Sequence, residues 1–342
     1  MKAFESEAGD YLGAKVATVS SGTLALLLVL EALGPVKGRK VIIPSFTFVA
    51  TAQAVLYAGA TPLFCDVQDD LTLDPKDLEE LLLDSKDDVA SVIPVHTYGM
   101  PCRIDEIERV VDSASTRAGR HIPVIYDAAH AFGSSIDNRK IGSFGDAEVF
   151  SLSATKALVS IEGGMISTRN EDLIERIHKM RNYGIGENYE AYFPGMNGKM
   201  SELHAIVGSF NLARLDDLVE SRQQVAAHYT AALAEATTFH TIPVPEQVRH
   251  TFKDFTVLTP PHLTDSRDDV MKLLLEEGIE NRRYFWPPVH HHRLFARYAT
   301  RELPATDQLG KRVITLPFFP SMRNDEVDRV VDALALAEKR LS

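Results

Sequence analysis

Cysteine is almost missing from this chain: Cys65 and Cys102 are the only two in 342 residues, and no C-x-x-C pair occurs. A disulfide framework is thereby excluded, and with no cluster of Cys and His at metal-ligand spacing, no metal centre is expected. Long apolar runs are also lacking. The longest, Leu24 to Leu30, falls well short of the roughly 20 residues that cross a bilayer, and no cationic segment precedes it. Basic charge is in deficit, with 36 Lys and Arg against 48 Asp and Glu and a formal charge of −12. Such a chain repels a polyanionic backbone, so no nucleic-acid partner is expected. These absences leave a soluble cytoplasmic protein whose partners are small molecules or copies of itself.

What is present is 45% hydrophobic composition, enough for one large domain with its own core and a smaller one. Short β-branched runs at Val16–Ser20, Lys40–Pro44, Pro62–Val67, Ala90–His96, Ile122–Asp127 and Val149–Ser153 alternate with helical patterns. That alternation predicts a wound α/β sheet of parallel strands. From Glu202 the pattern becomes one long helical stretch through Arg222 and Tyr229, followed by a mixed α/β segment. There Ser266 with Asp269 reads as a helix cap and Gly278 as the stop. The expected division is residues 1–220 and 221–342.

Three places carry chemistry. Ser20-Ser21-Gly22-Thr23 follows a strand and opens the helix Leu24–Leu33. With Ser21 as cap, the Gly22 and Thr23 amides are left as donors where the helix dipole favours an anion such as phosphate. Asp127 ends the apolar run Ile122–Tyr126, where a carboxylate needs a charged or hydrogen-bonded partner. A pyridinium nitrogen is one such partner, and His130, three residues on, could meet the ring's phenolic oxygen. Lys156 stands between the strand Val149–Leu152 and Glu162-Gly163-Gly164. A partly desolvated lysine there gains nucleophilic character and can shuttle protons. Ser151 is placed to give a hydroxyl to the same phosphate. Each feature alone has an ordinary reading: a helix cap, a strand-end acid, a surface lysine. A phosphate cradle, a ring-nitrogen acid and a lysine in that order are the fixed points of one cofactor, pyridoxal phosphate.

The sequence resembles the DegT/StrS sugar aminotransferases from about Phe4 to Pro320. The resemblance is carried by Ser21-Gly22-Thr23, Ser45-Phe46-Thr47-Phe48-Val49-Ala50-Thr51, Val95-His96-Thr97-Tyr98-Gly99, Asp127-Ala128-Ala129-His130-Ala131-Phe132-Gly133, Phe150-Ser151 and Ala154-Thr155-Lys156. Further matches are Glu162-Gly163-Gly164, Gly195-Met196-Asn197-Gly198 and Tyr284-Phe285-Trp286-Pro287-Pro288-Val289-His290. It implies the aspartate-aminotransferase-like fold type I of pyridoxal-phosphate enzymes, with a large cofactor-binding domain and a smaller C-terminal one. Position by position, Lys156 would be the Schiff-base lysine, Asp127 the partner of the ring nitrogen and His130 the neighbour of the phenolic oxygen. Ser151 with the Gly22 and Thr23 amides would hold the phosphate, and Phe48 would stack on the ring, where composition alone reads Phe48 as core. Asn197 would reach the phosphate site of a neighbouring subunit, making a homodimer with shared active sites.

The chain departs from the family's pattern in four places: Tyr126 stands where an acidic residue is frequent, Ser153 where a His is frequent, Ile161 where a Gly is frequent, and Asn197-Gly198-Lys199 where Asn-aromatic-Arg is more usual. In most members a leader precedes the point matching Met1 and helps to line the sugar pocket, so either the substrate site is rebuilt here or the chain is a shortened form. The implied activity is transfer of an amino group from an amino acid, L-glutamate, to a nucleotide-linked keto-deoxysugar. The rivals are a sugar dehydratase, whose relatives replace the lysine with His; a regulator built on the same fold, which would not need Lys156, Asp127 and Ser151 together; and a catalytically altered homologue that holds the cofactor but is blind to the sugar.

Overall fold

Strands that are apolar on both sides must be covered on both faces, and amphipathic helices between them supply the cover. The computed structural model describes residues 1–85 and 88–341. In chain order it begins α1 (Lys2–Leu12), β1 (Lys15–Val19), α2 (Gly22–Leu33), β2 (Lys40–Pro44), α3 (Val49–Tyr57) and β3 (Thr61–Cys65). Then come α4 (Pro75–Asp84), β4 (Val89–Val92), α5 (Ile104–Ala118), β5 (Ile125–Asp127) and a small hairpin of β6 (Ser135–Ile136) and β7 (Arg139–Lys140). β8 (Ala147–Ser151), β9 (Gly164–Thr168), α6 (Glu171–Met180), α7 (Glu202–Leu212) and α8 (Leu215–Ala236) follow. The last part holds β10 (His240–Thr241), β11 (Val248–Arg249), β12 (Phe255–Leu258), α9 (Arg267–Glu276), α10 (Pro304–Gly310), β13 (Val313–Leu316) and α11 (Asn324–Leu341).

The strand order β1-β9-β8-β5 continues into β4-β2-β3 through the parallel bridges Val92–Val124 and Val95–Asp127. Every pairing along this line is parallel except those of β9, which runs antiparallel to both β1 and β8. The expectation of a parallel sheet is corrected at that one strand. The 152–163 connection contains no helix to carry the chain across a face, so the chain turns back on itself. The outer edge of β1 is held by Gly198 and Lys199, through Ser20 N–H donating to Gly198 O at 2.8 Å and a bridge between Val19 and Lys199. The expected strand Ala90–His96 stops at Val92, since Pro94 lacks the N–H a ladder needs. The expected single helix from Glu202 breaks after Leu212. Ser266 does stand at the N-cap of α9, but its side chain makes no capping bond; Gly278 takes φ +77° just past the helix end.

Two cores lie on the two faces of the sheet. One packs Phe4, Leu78, Ile107 and Phe150 under α1, α4, α5 and α7; the other packs Leu28, Val55, Val149 and Ile177 under α2, α3 and α6. A third core, with Tyr229, Phe255, Leu274, Ile314 and Leu334, joins α8, α9 and α11 to the sheet β10-β12-β13. Helix α8 serves two of them, with Leu215 and Val219 in the first and Val225 through Leu233 in the third. Val289, Phe295 and Leu303 return to the second. Among the described residues no helix is long and apolar enough to cross a membrane.

Candidate active site

The C-terminal ends of the parallel strands open onto one cavity of about 330 Å³. At its floor Ser21 caps α2, its Oγ accepting from Leu24 N–H at 3.2 Å. The amides of the first turn have no intrahelical acceptor, and Gly22 and Thr23 line the cavity. Ser151, the last residue of β8, packs so close to Gly22 that a Cβ added there would lie 3.0 Å from the serine's own Cβ. Gly164 closes the back of the turn, since its added Cβ would meet Ser21 O at 2.3 Å. Glycine at both places lets backbone donors, a hydroxyl and the positive end of α2 converge on an anion-sized space.

Asp127 ends β5 and is buried, yet it makes no ion pair among the described residues. Its Oδ2 accepts from the Thr51 hydroxyl at 2.7 Å and its Oδ1 from Ala129 N–H at 3.1 Å. Thr51 is held in turn by Thr47, hydroxyl to hydroxyl, at 2.9 Å. Burial pushes the Asp127 pKa up, while Thr51, Ala129 and the charge of Lys156 pull against it. His130 is buried too, which drives its pKa well below the usual value. Its Nδ1 accepts from Tyr98 N–H at 3.2 Å, so the neutral ring carries its proton on Nε2. Phe285 stacks on it with centroids 6.0 Å apart at 14°.

Lys156 lies in the loop after β8, its N–H bonded to Ser153 O at 3.0 Å. Burial, and then the charge of Lys253, lower its pKa to about 8, against opposing pulls from Asp127, Asp254 and Glu162. Phe48 is not a core residue: it is 55% exposed and borders the cavity, 6.3 Å from Phe285. The cavity thus brings together Gly22, Thr23, Phe48, Asp127, His130, Ser151 and Lys156. It does not include Asn197, which is exposed and whose Oδ1 accepts from Lys199 Nζ at 2.9 Å. Ile161, just before Glu162, adopts φ +70°, which explains why glycine suits that position better than a β-branched side chain.

Sequence reasoning gave no role to Thr51, Lys253, Tyr284 or Phe285, all of which line the cavity. Thr51 was within reach of reasoning, standing in the same motif as Phe48. Lys253 came from the other half of the chain with no motif to mark it.

The residues present fit pyridoxal phosphate. The Gly22–Ser151 cradle is closed to any larger residue, the buried acid lacks a cation, the neutral imidazole offers one N–H, and the lysine has a lowered pKa. The sequence profile of the DegT/DnrJ/EryC1/StrS aminotransferase family matches residues 1–335. The chain is 36% identical to GDP-perosamine synthase of Caulobacter vibrioides, over 97% of this chain and 88% of that one. It is 32% identical to UDP-N-acetyl-3-dehydro-alpha-D-glucosamine 3-aminotransferase of Acidithiobacillus ferrooxidans, over 97% and 87%. The solved structure of DesV from S. venezuelae, in complex with a ketimine intermediate, superposes with a TM-score of 0.89 at 31% identity, covering 98% of this chain and 89% of DesV. With the family profile spanning nearly the whole chain and relatives above 30% identity along its length, this protein belongs to the DegT/DnrJ/EryC1/StrS aminotransferase family.

Proposed function

We propose that this chain moves an amino group from an amino acid, L-glutamate, onto the keto carbon of a nucleotide-linked deoxysugar, with pyridoxal phosphate held in the cavity. The observation that carries the reading is the convergence of Lys156, Asp127, His130 and the Gly22–Ser151 cradle on one space. The sugar class rests on the names of the relatives. When bound, the cofactor supplies an aldehyde that condenses with amines and a ring that accepts the electrons left behind when a proton departs. The Gly22 and Thr23 amides and the Ser151 hydroxyl hold the phosphate. Asp127 would keep a proton on the ring nitrogen, His130 would offer its Nε2–H to the phenolic oxygen, and Phe48 would cover the ring. The amine of Lys156 removes the proton from the donor's α-carbon, and the same amine returns a proton to the carbon that was the acceptor's ketone.

The unit of function in this reading is a homodimer. Leu203, Ile206 and Phe210, at helical spacing on α7, are 73%, 64% and 63% exposed, an apolar stripe that a second copy would cover. Asn197 lies just before that helix and would reach the partner's phosphate cradle, as the family resemblance implies. The boundary near residue 220 falls inside α8, which carries both cores without a break.

The test is optical. Protein reconstituted with pyridoxal phosphate should be yellow, bleach on addition of L-glutamate, and recover its colour with one member of a panel of nucleotide ketosugars. Lys156→Ala should show no turnover. Colour that glutamate leaves unchanged would overturn the donor, and colour that no ketosugar restores would overturn the acceptor.

A further inference from the structure

Three consecutive histidines follow Val289, and nothing in the proposed chemistry uses them. The structure gives two of them a common target. His290 is buried, and its Nδ1 lies 2.6 Å from Ser45 Oγ, which also accepts the His290 backbone N–H at 3.0 Å. With Nδ1 occupied by the hydroxyl, Nε2 is aimed at Asp307 Oδ1, 3.3 Å away. His291 Nε2 is 2.7 Å from that same oxygen, and the two imidazole centroids are 3.9 Å apart. One ligand atom from each of the three residues lies within 4.8 Å of the others. In a tetrahedral zinc site, bonds of about 2.0–2.1 Å place neighbouring ligand atoms about 3.3 Å apart.

The ligands are positioned by contacts that owe nothing to an ion. Asp66, just beyond β3, accepts from Ala305 N–H, Thr306 N–H and the Thr306 hydroxyl at 3.0, 2.7 and 2.7 Å, which fixes the first turn of α10. The far end of that helix packs on Trp286 and Pro288, where a Cβ added to Gly310 would approach within 3.0 and 3.3 Å. On the other side, Val289 N–H donates to Ser45 O at 3.0 Å, tying the histidine segment to the end of β2. A ring oriented by a hydrogen bond at its other nitrogen, facing a carboxylate on an anchored helix, is the outer support that metal-binding histidines have. His292 stands apart, with Nε2 3.0 Å from Pro287 O.

We propose that His290, His291 and Asp307 bind one divalent first-row transition-metal ion, zinc being the best match, with solvent completing the tetrahedron. Two imidazoles and one carboxylate select zinc, nickel or cobalt over magnesium and calcium, which prefer all-oxygen shells. His291, half exposed, provides the way in. The ion would bolt the segment that carries Tyr284 and Phe285, both in the cavity wall, to α10. The group escapes the expectation of no metal centre because adjacent histidines and an aspartate sixteen residues later form neither a C-x-x-C pair nor a spaced His motif.

The experiment uses the untagged holoenzyme after treatment with a chelator. Zinc chloride is titrated by calorimetry, and cobalt chloride is followed by its visible absorption. The expected result is one saturable equivalent with a tetrahedral cobalt spectrum, a melting temperature raised by zinc, and affinity reduced at least about tenfold in His291→Ala and Asp307→Asn. His292→Ala should bind as the unaltered protein does. Since His291 is a surface residue, its variant keeps the fold and decides the matter even if Asp307→Asn does not. Absence of saturable binding, or equal binding by His291→Ala, would overturn the proposal.

Discussion

Titrating the cofactor-free protein should find Lys156 neutral at pH values where an ordinary lysine is charged. Its pKa is about 8 against 10.5, first because burial strips solvent from the ammonium and second because Lys253 faces it with like charge. At pH 7 an ordinary lysine is unprotonated in about one molecule in 3000 and Lys156 in about one in ten, a reactive fraction roughly 300-fold larger. The assay is competitive acetylation with a limiting reagent across a pH series, each lysine followed by peptide mass spectrometry. Lys156 should reach half of its limiting rate near pH 8, whereas exposed lysines go on rising, and Lys253→Met should move the midpoint upward. The same shift appears in stability. A base whose folded pKa is depressed binds fewer protons folded than unfolded, so the burial cost, about 3 kcal/mol, is fully present below about pH 8 and relieved between about 8 and 10.5. A Lys156 midpoint among those of the exposed lysines would refute the reasoning.

Gly22→Ala places a methyl 3.0 Å from Ser151 Cβ and 3.2 Å from its Cα. The overpacking should cost about 1–2 kcal/mol, read as a lower melting temperature of the apo-protein together with weaker binding of inorganic phosphate; an unchanged phosphate affinity would remove Gly22 from the cradle. Ile161→Gly relieves a β-branched side chain at φ +70° that is already half exposed. It should raise the melting temperature by roughly 2 °C, and a decrease would mean that neighbours, not strain, dominate there. Mixing Lys156→Ala with Asn197→Trp under conditions of verified subunit exchange should restore up to about a quarter of full activity, because half the dimers are mixed and each holds one intact site. No recovery would remove Asn197 from the partner's site.

The parts of this molecule legible in the sequence were those fixed locally. The β2 run matches residue for residue because Val41–Ile43 is continuously apolar and bounded by the charge of Lys40 and by Pro44. Ser21, Asp127 and Lys156 could be singled out because each ends or closely follows a strand, where side chains leave the core. What escaped was set by pairing over distance. The place of β9 depends on its pairing with β1 from far along the chain, and Lys253, just before β12, lines a cavity built mostly from the first half of the chain. Thr51 was visible in a motif, but its bond to Asp127 spans 76 residues. Phe48 illustrates the opposite error: its composition says core, while the cavity keeps it at the surface.

The insertion of β9 between β8 and β1 has a consequence for how the protein is made. The cradle joins the turn after β1 to the end of β8, and β1 is held in register by Thr168 through Gly164 on one side and by Gly198 and Lys199 on the other. β1 therefore has no strand neighbour until β9 and the Gly198–Lys199 segment, far along the chain, have been made. Until then Leu26, Leu28 and Val29 of α2, destined for the core, have no completed sheet to cover them and are open to chaperones and to aggregation. Competence for phosphate waits for that pairing, when an old strand comes in beside a new one. Chains truncated between Thr168 and Gly198 should consequently be unable to hold the cofactor, although every cradle residue is already present in them.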